Sequence, residues 1–294
     1  MSNAPALLTS QASIRRTRIQ LLALGRTHPA VTFATALVAL LFLVALLAPL
    51  ISPHDPIAVN ADDSYLPPLS PSHLLGTDEL GRDLFSRMLW GARVSLPVAF
   101  VAVAVGLFVG GLIGLVSGYA GGVIDLLLMR FIDALLAFPA LILAIAIVAA
   151  LGPGLRNAMI AIGIVAIPGY ARLVRALVLQ LKQMEFITAT RSLGATPMRL
   201  IVRHLIPNLL NPIIVQISLS AGFAILAEAT LSFLGLGAQV PTPDWGQMIN
   251  SGATFLENDP WLAIVPGAAI SLTVYSFNLL GDSLRDALDP RLRS

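Results

Sequence analysis

Six long stretches almost free of charged residues constrain what this sequence of 294 residues can fold into. Crossing a hydrocarbon core about 30 Å thick takes roughly 20 apolar residues in a helix, so each stretch is a candidate membrane span. Only 12% of the residues are charged, about half the share found in soluble domains, which excludes a soluble globule. The predicted spans are residues 30–51, 96–118, 134–151, 157–171, 208–233 and 260–280.

These spans predict an all-α integral membrane protein, a polytopic bundle of six helices. Backbone groups in lipid must form their hydrogen bonds within the protein, and the stretches lack the alternating pattern typical of a membrane barrel. A polar N-terminal arm, residues 1–29, precedes the membrane domain, residues 30–294. Because the first span is longer than the apolar core of a signal peptide, we expect it to be a retained anchor.

Positive charge is distributed unevenly between alternate loops, which predicts the orientation in the membrane. Cytoplasmic loops carry more lysine and arginine than loops on the opposite side. The arm, the loops at 119–133 and 172–207, and the C-terminal tail carry 14 basic residues together, whereas the alternate loops carry 4. We therefore expect both termini and the 172–207 loop in the cytoplasm, and the 52–95 loop outside.

Several kinds of chemistry are not expected in this chain. The sequence contains no cysteine, and its four histidines show no metal-binding spacing, which argues against thiol chemistry and metal catalysis. A nucleotide-binding P-loop needs Gly-Lys-Ser/Thr, whereas the only lysine, Lys182, lies in Gln-Leu-Lys-Gln. The basic loops follow from membrane topology and do not require nucleic acid. We expect no catalytic residue, cofactor or metal here.

Glycines in the second span recur every four residues and place a strip of bare backbone along one helix face. Another helix can approach such a face closely. We expect tight packing within this subunit or with a partner, and a glycine-lined substrate path is the alternative. The four residues are Gly106, Gly110, Gly114 and Gly118.

The long basic loop contains a predicted elbow between two helices. Residues 170–194 form a helix-compatible run without proline or internal glycine. Gly194 suits a left-handed C-terminal cap, and Thr196 followed by Pro197 suits the start of a second helix. The elbow combines arginines with apolar side chains, as a docking surface for a partner protein would, although an ordinary basic loop is the alternative. These side chains are Arg191, Leu193, Met198, Arg199, Leu200 and Arg203.

This loop resembles the EAA loop of ATP-binding cassette importer permeases. That pattern is Glu-Ala-Ala, three residues, Gly, nine residues and Ile-x-Leu-Pro, and the run from Thr188 to Pro207 has its glycine and proline at the same spacing. Threonine replaces the glutamate and the second alanine. The resemblance implies that the loop docks on ATPase subunits. The docking residues would be Thr188, Ala189, Arg191, Gly194, Ala195, Pro197, Arg199, Arg203 and Pro207.

Further motifs resemble the second permease subunit of dipeptide and oligopeptide importers. They are Gly-Thr-Asp-Glu-Leu-Gly-Arg-Asp from Gly76, Leu-Ser-Phe-Leu-Gly-Leu-Gly from Leu231, Pro-Trp from Pro260, and Gly-Asp-Ser-Leu-Arg-Asp from Gly281. The resemblance implies the type I importer permease fold in the lipid of a bacterial inner membrane. It also implies a homologous second permease, two ATPase subunits or domains that bind ATP and Mg, and an extracytoplasmic binding protein that delivers peptide.

Two acids are candidates for the translocation path. Glu228 is the only charged residue between 208 and 233, and a charge deep in hydrocarbon costs about 2.5 to 3.5 kcal/mol on insertion scales. We expect it to face protein or water, either on the path or as a structural partner of an arginine or a backbone donor. Asp133 is the second candidate, with an ion pair to Arg130 as the alternative.

A short amphipathic helix is predicted on the outer face. Leu80, Leu84 and Met88 repeat every four residues, and Asp83 and Arg87 are spaced for an ion pair. Contact with the delivery protein and packing as a lid over this subunit are the two interpretations.

The sequence therefore predicts a non-catalytic permease subunit of an ATP-driven importer. Di- or oligopeptides would enter the cytoplasm by alternating access while partner ATPases act on the 172–207 loop. Import of another small solute by the same machinery, such as a metal chelate or haem, is the alternative. A self-sufficient channel or secondary transporter would instead be expected to have coupling acids near midspan and no docking loop.

Overall fold

The computed structural model describes residues 29–288, and regular secondary structure in that range is entirely helical. Five of the described helices are long and apolar enough to cross a membrane, or six if one bent pair forms a single span. The predicted all-α fold class is therefore confirmed. The N-terminal arm up to residue 28, and Arg291 and Arg293 in the tail, lie outside the described residues.

The first helix, α1 (Pro29–Ile51), contains no charged residue. α1 packs against the second helix, α2 (Leu84–Ala120), and against the last helix of the bundle. The 52–83 segment between α1 and α2 covers one end of the bundle.

Asp83 fixes the start of α2. Its carboxylate accepts a hydrogen bond from the backbone N–H of Ser86 at 2.7 Å, which satisfies a donor at the helix N-terminus. Burial by itself raises the pKa of Asp83, but hydrogen bonds from Ser86 and His73 hold this pKa below its ordinary value of 3.8. Asp83 is therefore a carboxylate at neutral pH.

The prediction of a separate short helix on the outer face is wrong. Leu84 and Met88 belong to α2 itself, which continues into the apolar span without interruption. The predicted ion pair between Asp83 and Arg87 is also absent from the described contacts. Arg87 instead lies 3.3 Å from the buried carboxylate of Asp78, because the 52–83 segment folds back over the start of α2.

The glycine strip of α2 packs against α5 (Leu155–Lys182). A Cβ on Gly110 would lie 2.4 Å from the carbonyl oxygen of Ile167, and a Cβ on Gly114 would lie 2.3 Å from that of Ala171. The same close approach occurs at Gly106 and Gly118. The strip is therefore used for helix packing within the subunit, which favours the packing interpretation over a glycine-lined path.

The predicted third span, residues 134–151, is divided in the structure. Its first residues end α3 (Gly122–Leu136), and the rest form α4 (Ala140–Leu151), at 89° to α3. Pro139 causes the break because it lacks an N–H group and disfavours a helical conformation at Phe138. α4 alone has 12 residues and is about 18 Å long, too short to cross a bilayer by itself.

The helix predicted to continue from residue 170 to 194 is interrupted. α5 ends at Lys182, and α6 (Glu185–Ser192) begins after a two-residue break. Leu181 and Ile187 are both buried in the same apolar cluster, although residues six apart in one helix point about 120° away from each other. The break lets both side chains reach that cluster.

The remaining helices complete the bundle. α7 (Pro197–Phe233) packs along α9 (Trp261–Leu288), and α8 (Trp245–Ala253) lies against α7, α9 and α2. A Cβ on Gly246 would lie 2.3 Å from the carbonyl oxygen of Ala229, so α8 sits directly on the α7 backbone. The core between these helices is rich in alanine, which allows the backbones to approach closely.

Candidate functional site

The elbow, residues 185–207, turns at Gly194. This residue has φ of +82°, a left-handed conformation that costs little only for glycine. The N–H of Gly194 donates to the carbonyl of Arg191 at 3.0 Å, and the N–H of Ala195 donates to that of Thr190 at 3.3 Å. These two bonds form a Schellman motif, the C-terminal cap that the sequence predicted for this position.

The second arm of the elbow starts two residues later. The hydroxyl oxygen of Thr196 accepts a hydrogen bond from the backbone N–H of Arg199 at 3.4 Å, and Pro197 occupies the first helical position. Both features match the predicted helix start. The turn is fixed by hydrogen bonds on both sides, from the backbone at Gly194 and from the Thr196 side chain, so the elbow has a defined shape.

The underside of the elbow is anchored in the bundle. Ile187 from α6 and Leu200 and Leu205 from α7 are buried in one apolar cluster with Val174 and Val178 of α5. Burying such side chains contributes about 1.5 to 3 kcal/mol each, which holds the elbow to α5. The sequence placed Leu200 on the exposed docking surface, whereas the structure places it in this anchor.

The outer side of the elbow is an exposed apolar and basic surface. Leu193 is 88% exposed and Met198 is 69% exposed, which is unusual for large apolar side chains in a folded protein. Arg191 and Arg199 are exposed beside them. Among the other predicted docking residues, Ala195 is half-buried and the exposed ones are Thr188, Ala189, Gly194, Pro197, Arg203 and Pro207.

Lys182 joins the end of α5 to the end of α2. Its ammonium group donates to the carbonyl oxygens of Gly118 at 3.1 Å and Tyr119 at 2.8 Å. A cation at the C-terminus of a helix satisfies carbonyls that have no partner within the helix. The sequence analysis did not assign this role, because only the fold brings α2 and α5 together.

Two ion pairs join α5 to α3. Arg175 makes a bidentate pair with Asp125, with both N–O distances at 2.6 Å, and Arg172 pairs with Asp133 at 2.7 Å. The predicted partner of Asp133 was Arg130, one turn away on the same helix, so that assignment is wrong. An arginine on a packed neighbouring helix reaches the carboxylate instead.

Two open cavities follow the middle of α7, between residues 211 and 224. One has a volume of about 330 Å³ and the other about 500 Å³, and both are lined by Gln216 and Leu219. Gln216 donates to the hydroxyl oxygen of Ser220 at 3.0 Å, and Asn211 lines the larger cavity. Isolated polar residues in an apolar span signal such a surface, and the sequence analysis missed these three.

Glu228 lies near the opposite end of α7 and is completely buried. Its carboxyl group accepts a hydrogen bond from Ser232 at 3.0 Å. Asp244 and Ser95 lie beside it, but its second oxygen has no hydrogen-bond partner among the described residues. Asp244 caps the start of α8 by accepting from the backbone N–H of Gln247 at 3.0 Å. Glu228 therefore connects α7, α8 and α2, and it does not line either cavity along α7.

Two family descriptions match this sequence. The binding-protein-dependent transport system inner membrane component matches residues 110–294, and the N-terminal TM domain of oligopeptide transport permease C matches residues 26–68. The first covers more than half of the chain and includes the elbow and all of α7.

Curated relatives match most of the chain. The dipeptide transport system permease protein DppC of Alkalihalophilus pseudofirmus is 48% identical, covering 86% of this chain and 83% of the relative. The probable D,D-dipeptide transport system permease protein DdpC of Escherichia coli is 42% identical, covering 99% of this chain and 97% of the relative. The glutathione transport system permease protein GsiD of Pectobacterium atrosepticum is 45% identical, covering 92% of this chain and 89% of the relative.

A solved structure shares the fold. The inward-facing MetNI methionine ABC transporter matches with a TM-score of 0.59 at 20% identity, covering 70% of this chain and 98% of the matched chain. At this identity the likeness establishes the fold alone, that of a type I importer permease.

Proposed function

Since this chain belongs to the family of binding-protein-dependent transport system inner membrane components, we propose that it is a permease subunit of an ATP-driven importer that moves di- or oligopeptides into the cytoplasm. The relatives named for dipeptide and D,D-dipeptide transport support peptide as the substrate. The paired permease would supply the other half of the path, and an extracytoplasmic binding protein would deliver the peptide.

The elbow is the observation on which the proposal rests. Its exposed surface around Leu193 and Met198 is large, apolar and basic, while its underside is buried against α5. A push on this surface would move α7 directly, because α7 runs without interruption from Pro197 to Phe233. At 1.5 Å per residue, α7 reaches about 55 Å from the elbow to the far end of the bundle.

Nucleotide chemistry belongs to partner chains in this proposal. The only lysine of the sequence, Lys182, is engaged by the carbonyls at the end of α2 and lies outside any P-loop pattern. ATP and Mg would therefore bind to the ATPase subunits or domains that dock on the elbow. This permease itself would need no cofactor.

The path for the peptide follows the polar face of α7. Asn211, Gln216 and Ser220 supply donors and acceptors for peptide groups, and they line cavities wide enough for side chains. Asp133 is exposed beside Arg172 and is a further path candidate. The complete burial of Glu228 favours a structural role over direct contact with peptide.

The distribution of basic residues between the loops supports the proposed orientation in the membrane. The elbow and both termini would lie in the cytoplasm of a bacterial cell, with the 52–83 segment on the outer face of the inner membrane. Trp90, Trp245 and Trp261 support this arrangement, since indole side chains concentrate at membrane interfaces and these three lie toward the 52–83 end.

Reconstituted transport tests the proposal. Proteoliposomes holding both permeases and the ATPases, supplied with binding protein, should take up labelled dipeptide only when ATP is present. The double variant Leu193→Glu and Met198→Glu should lose ATPase association and uptake, because charge replaces the apolar docking surface. Leu69→Glu, at a similarly exposed leucine in the 52–83 segment, is the control and should leave ATPase association unchanged.

Two results would contradict the proposal. Uptake by the permease pair without any ATPase would identify a self-sufficient channel or secondary transporter. ATPase association that survives both elbow substitutions would remove the elbow from the mechanism.

Glutathione is a second candidate substrate. The relatives named for glutathione transport are 45% to 47% identical to this chain, as similar as those named for dipeptides. Competition between glutathione and a labelled dipeptide in the same proteoliposomes distinguishes the two, since the preferred substrate should inhibit at the lower concentration.

A further inference from the structure

Two histidines and an aspartate from three parts of the 52–83 segment meet beside the start of α2. They are His54, just after α1, His73, in the middle of the segment, and Asp83, the cap of α2. One potential ligand atom from each residue lies within 4.8 Å of the others. The spacing in sequence is 19 and 10 residues, so no local motif announces the group.

The distances suit a single small cation. Nδ1 of His73 lies 2.9 Å from Oδ1 of Asp83, and Nδ1 of His54 lies 3.7 Å from Oδ2 of the same carboxylate. Ligands 2.0 to 2.1 Å from a tetrahedral metal are about 3.4 Å apart. The observed separations lie on either side of that value, so small side-chain rotations would bring all three atoms onto one ion.

Of the three residues, His54 has a ring nitrogen that could bind a metal ion without first losing a hydrogen bond. Its Nδ1 atom is buried and has no hydrogen-bond partner among the described residues, although it points toward an ionised carboxylate. A buried nitrogen without a partner is costly, so it calls for an explanation. The two imidazole rings are stacked with centroids 4.7 Å apart, and the Nδ1 atoms of both face the carboxylate of Asp83.

The surrounding contacts hold the ligands in position. The backbone N–H of Ser86 donates to Asp83, and the hydroxyl oxygen of Ser86 accepts from the backbone N–H of His54 at 3.2 Å. Nε2 of His73 lies 3.9 Å from the carboxylate of Asp63. Partners of this kind orient metal ligands and raise their basicity.

The ligand chemistry selects the class of metal. Two imidazoles and one carboxylate favour Zn²⁺ and neighbouring transition metals, whereas Mg²⁺ and Ca²⁺ prefer oxygen ligands only. Access is open, because His54 is 37% exposed and lines a cavity of about 660 Å³ beside Trp90 and Pro53. The fourth coordination position would face this cavity.

We propose that His54, His73 and Asp83 form a Zn²⁺-class binding site that fastens the 52–83 segment to the start of α2. The ion would take the place of the hydrogen bond between His73 Nδ1 and Asp83, and the imidazole proton of His73 would then lie on Nε2, which faces Asp63. This site is independent of the proposed transport function, and it differs from the expectation of no metal in the sequence analysis.

Zinc titration of the intact permease complex tests the site. The complex is purified without a histidine tag, treated with a chelator and titrated with ZnCl₂, and bound zinc is measured by mass spectrometry of the desalted protein. We expect one Zn²⁺ per chain that His54→Ala loses or binds at least tenfold more weakly. Thermal unfolding should also move to higher temperature with ZnCl₂ in the wild type and not in His54→Ala.

Two further variants test whether zinc binds at this site specifically. His204→Ala changes a histidine in the elbow and should bind zinc as the wild type does. Asp83→Asn retains an acceptor for the backbone N–H of Ser86, so α2 keeps its cap while the ligand charge is lost, and zinc affinity should fall. Cobalt in place of zinc should give visible absorption bands that disappear in His54→Ala.

The proposal is overturned if the wild type binds no zinc. It is equally overturned if wild type and His54→Ala bind the same amount with the same affinity, or if His204→Ala loses the ion as well.

Discussion

The backbone conformation of Gly194 is the residue-scale feature on which the elbow depends. A Cβ at this position would meet nothing within 4 Å, so the need for glycine arises from φ of +82° and not from lack of space. A left-handed conformation costs other residues about 1 to 2 kcal/mol. We therefore expect alanine at this position to affect the elbow less than proline does, because alanine can adopt a left-handed conformation under strain and proline cannot.

Substitutions at Gly194 separate these two cases. Gly194→Ala should keep most ATP-dependent uptake, because one strained residue costs little. Gly194→Pro should abolish coupled uptake while the protein still inserts, since the ring fixes φ near −65° and removes the N–H that donates to Arg191. Uptake assays in proteoliposomes measure both. Normal uptake by the proline variant would show that the turn is not needed.

Glu228 gives a second prediction at this scale. Glu228→Gln keeps an oxygen for Ser232 and adds an amide that can donate to Asp244, so folding and uptake should both persist. Glu228→Ala should lower the unfolding temperature, because it leaves buried polar partners unsatisfied at about 1 to 3 kcal/mol. Thermal unfolding in detergent measures the effect. Loss of uptake by a stable Gln variant would instead indicate a path residue.

At the scale of elements, helix α2 depends on close contact with α5. Gly111 and Gly114 lie in the same turn region of α2, yet only Gly114 faces the α5 backbone. A Cβ on Gly114 would lie 2.3 Å from the carbonyl oxygen of Ala171, while a Cβ on Gly111 would meet only Leu107, at 3.9 Å. These two glycines therefore form a matched pair.

The matched pair predicts opposite effects on stability. Gly114→Ala should lower the unfolding temperature, since overpacking costs about 1 to 3 kcal/mol. Gly111→Ala should keep or raise it, because alanine is favoured over glycine in helices by up to about 1 kcal/mol. Thermal unfolding of the purified variants compares them. Equal behaviour of the two variants would mean that α2 and α5 are not packed in this way.

The connection between α5 and its neighbours is the second element-scale feature. Lys182 holds the end of α2, and Arg175 holds Asp125 of α3. α5 is also the surface on which the elbow is anchored. Movement of the elbow would therefore reach α2 and α3 through α5, and the far end of the bundle through α7.

At the scale of the whole molecule, the orientation can be tested because the sequence contains no cysteine. Leu193→Cys in the elbow and Leu69→Cys in the 52–83 segment introduce single reactive groups at highly exposed positions. A maleimide that does not cross membranes should label Leu69→Cys in intact spheroplasts, and Leu193→Cys only after the membrane is opened. The reverse pattern would place the elbow outside the cell and contradict the proposed function.

The elbow was predictable from sequence because its signals are local. Gly194, Thr196 and Pro197 each have a backbone preference that acts within a few residues, and the structure has each in the expected role. The break before Glu185 was not predictable, since no glycine or proline marks it and the reason is burial of Ile187 against α5.

The sequence by itself determined that this chain is a membrane-spanning helical bundle and where most helices and the elbow lie, because apolar length, proline and glycine act through local physics. Only the tertiary structure decided which distant groups meet: Arg172 with Asp133, the glycine strip with α5, and His54 with His73 and Asp83. Such contacts depend on how helices pack and loops fold back, and no spacing along the chain encodes that arrangement directly.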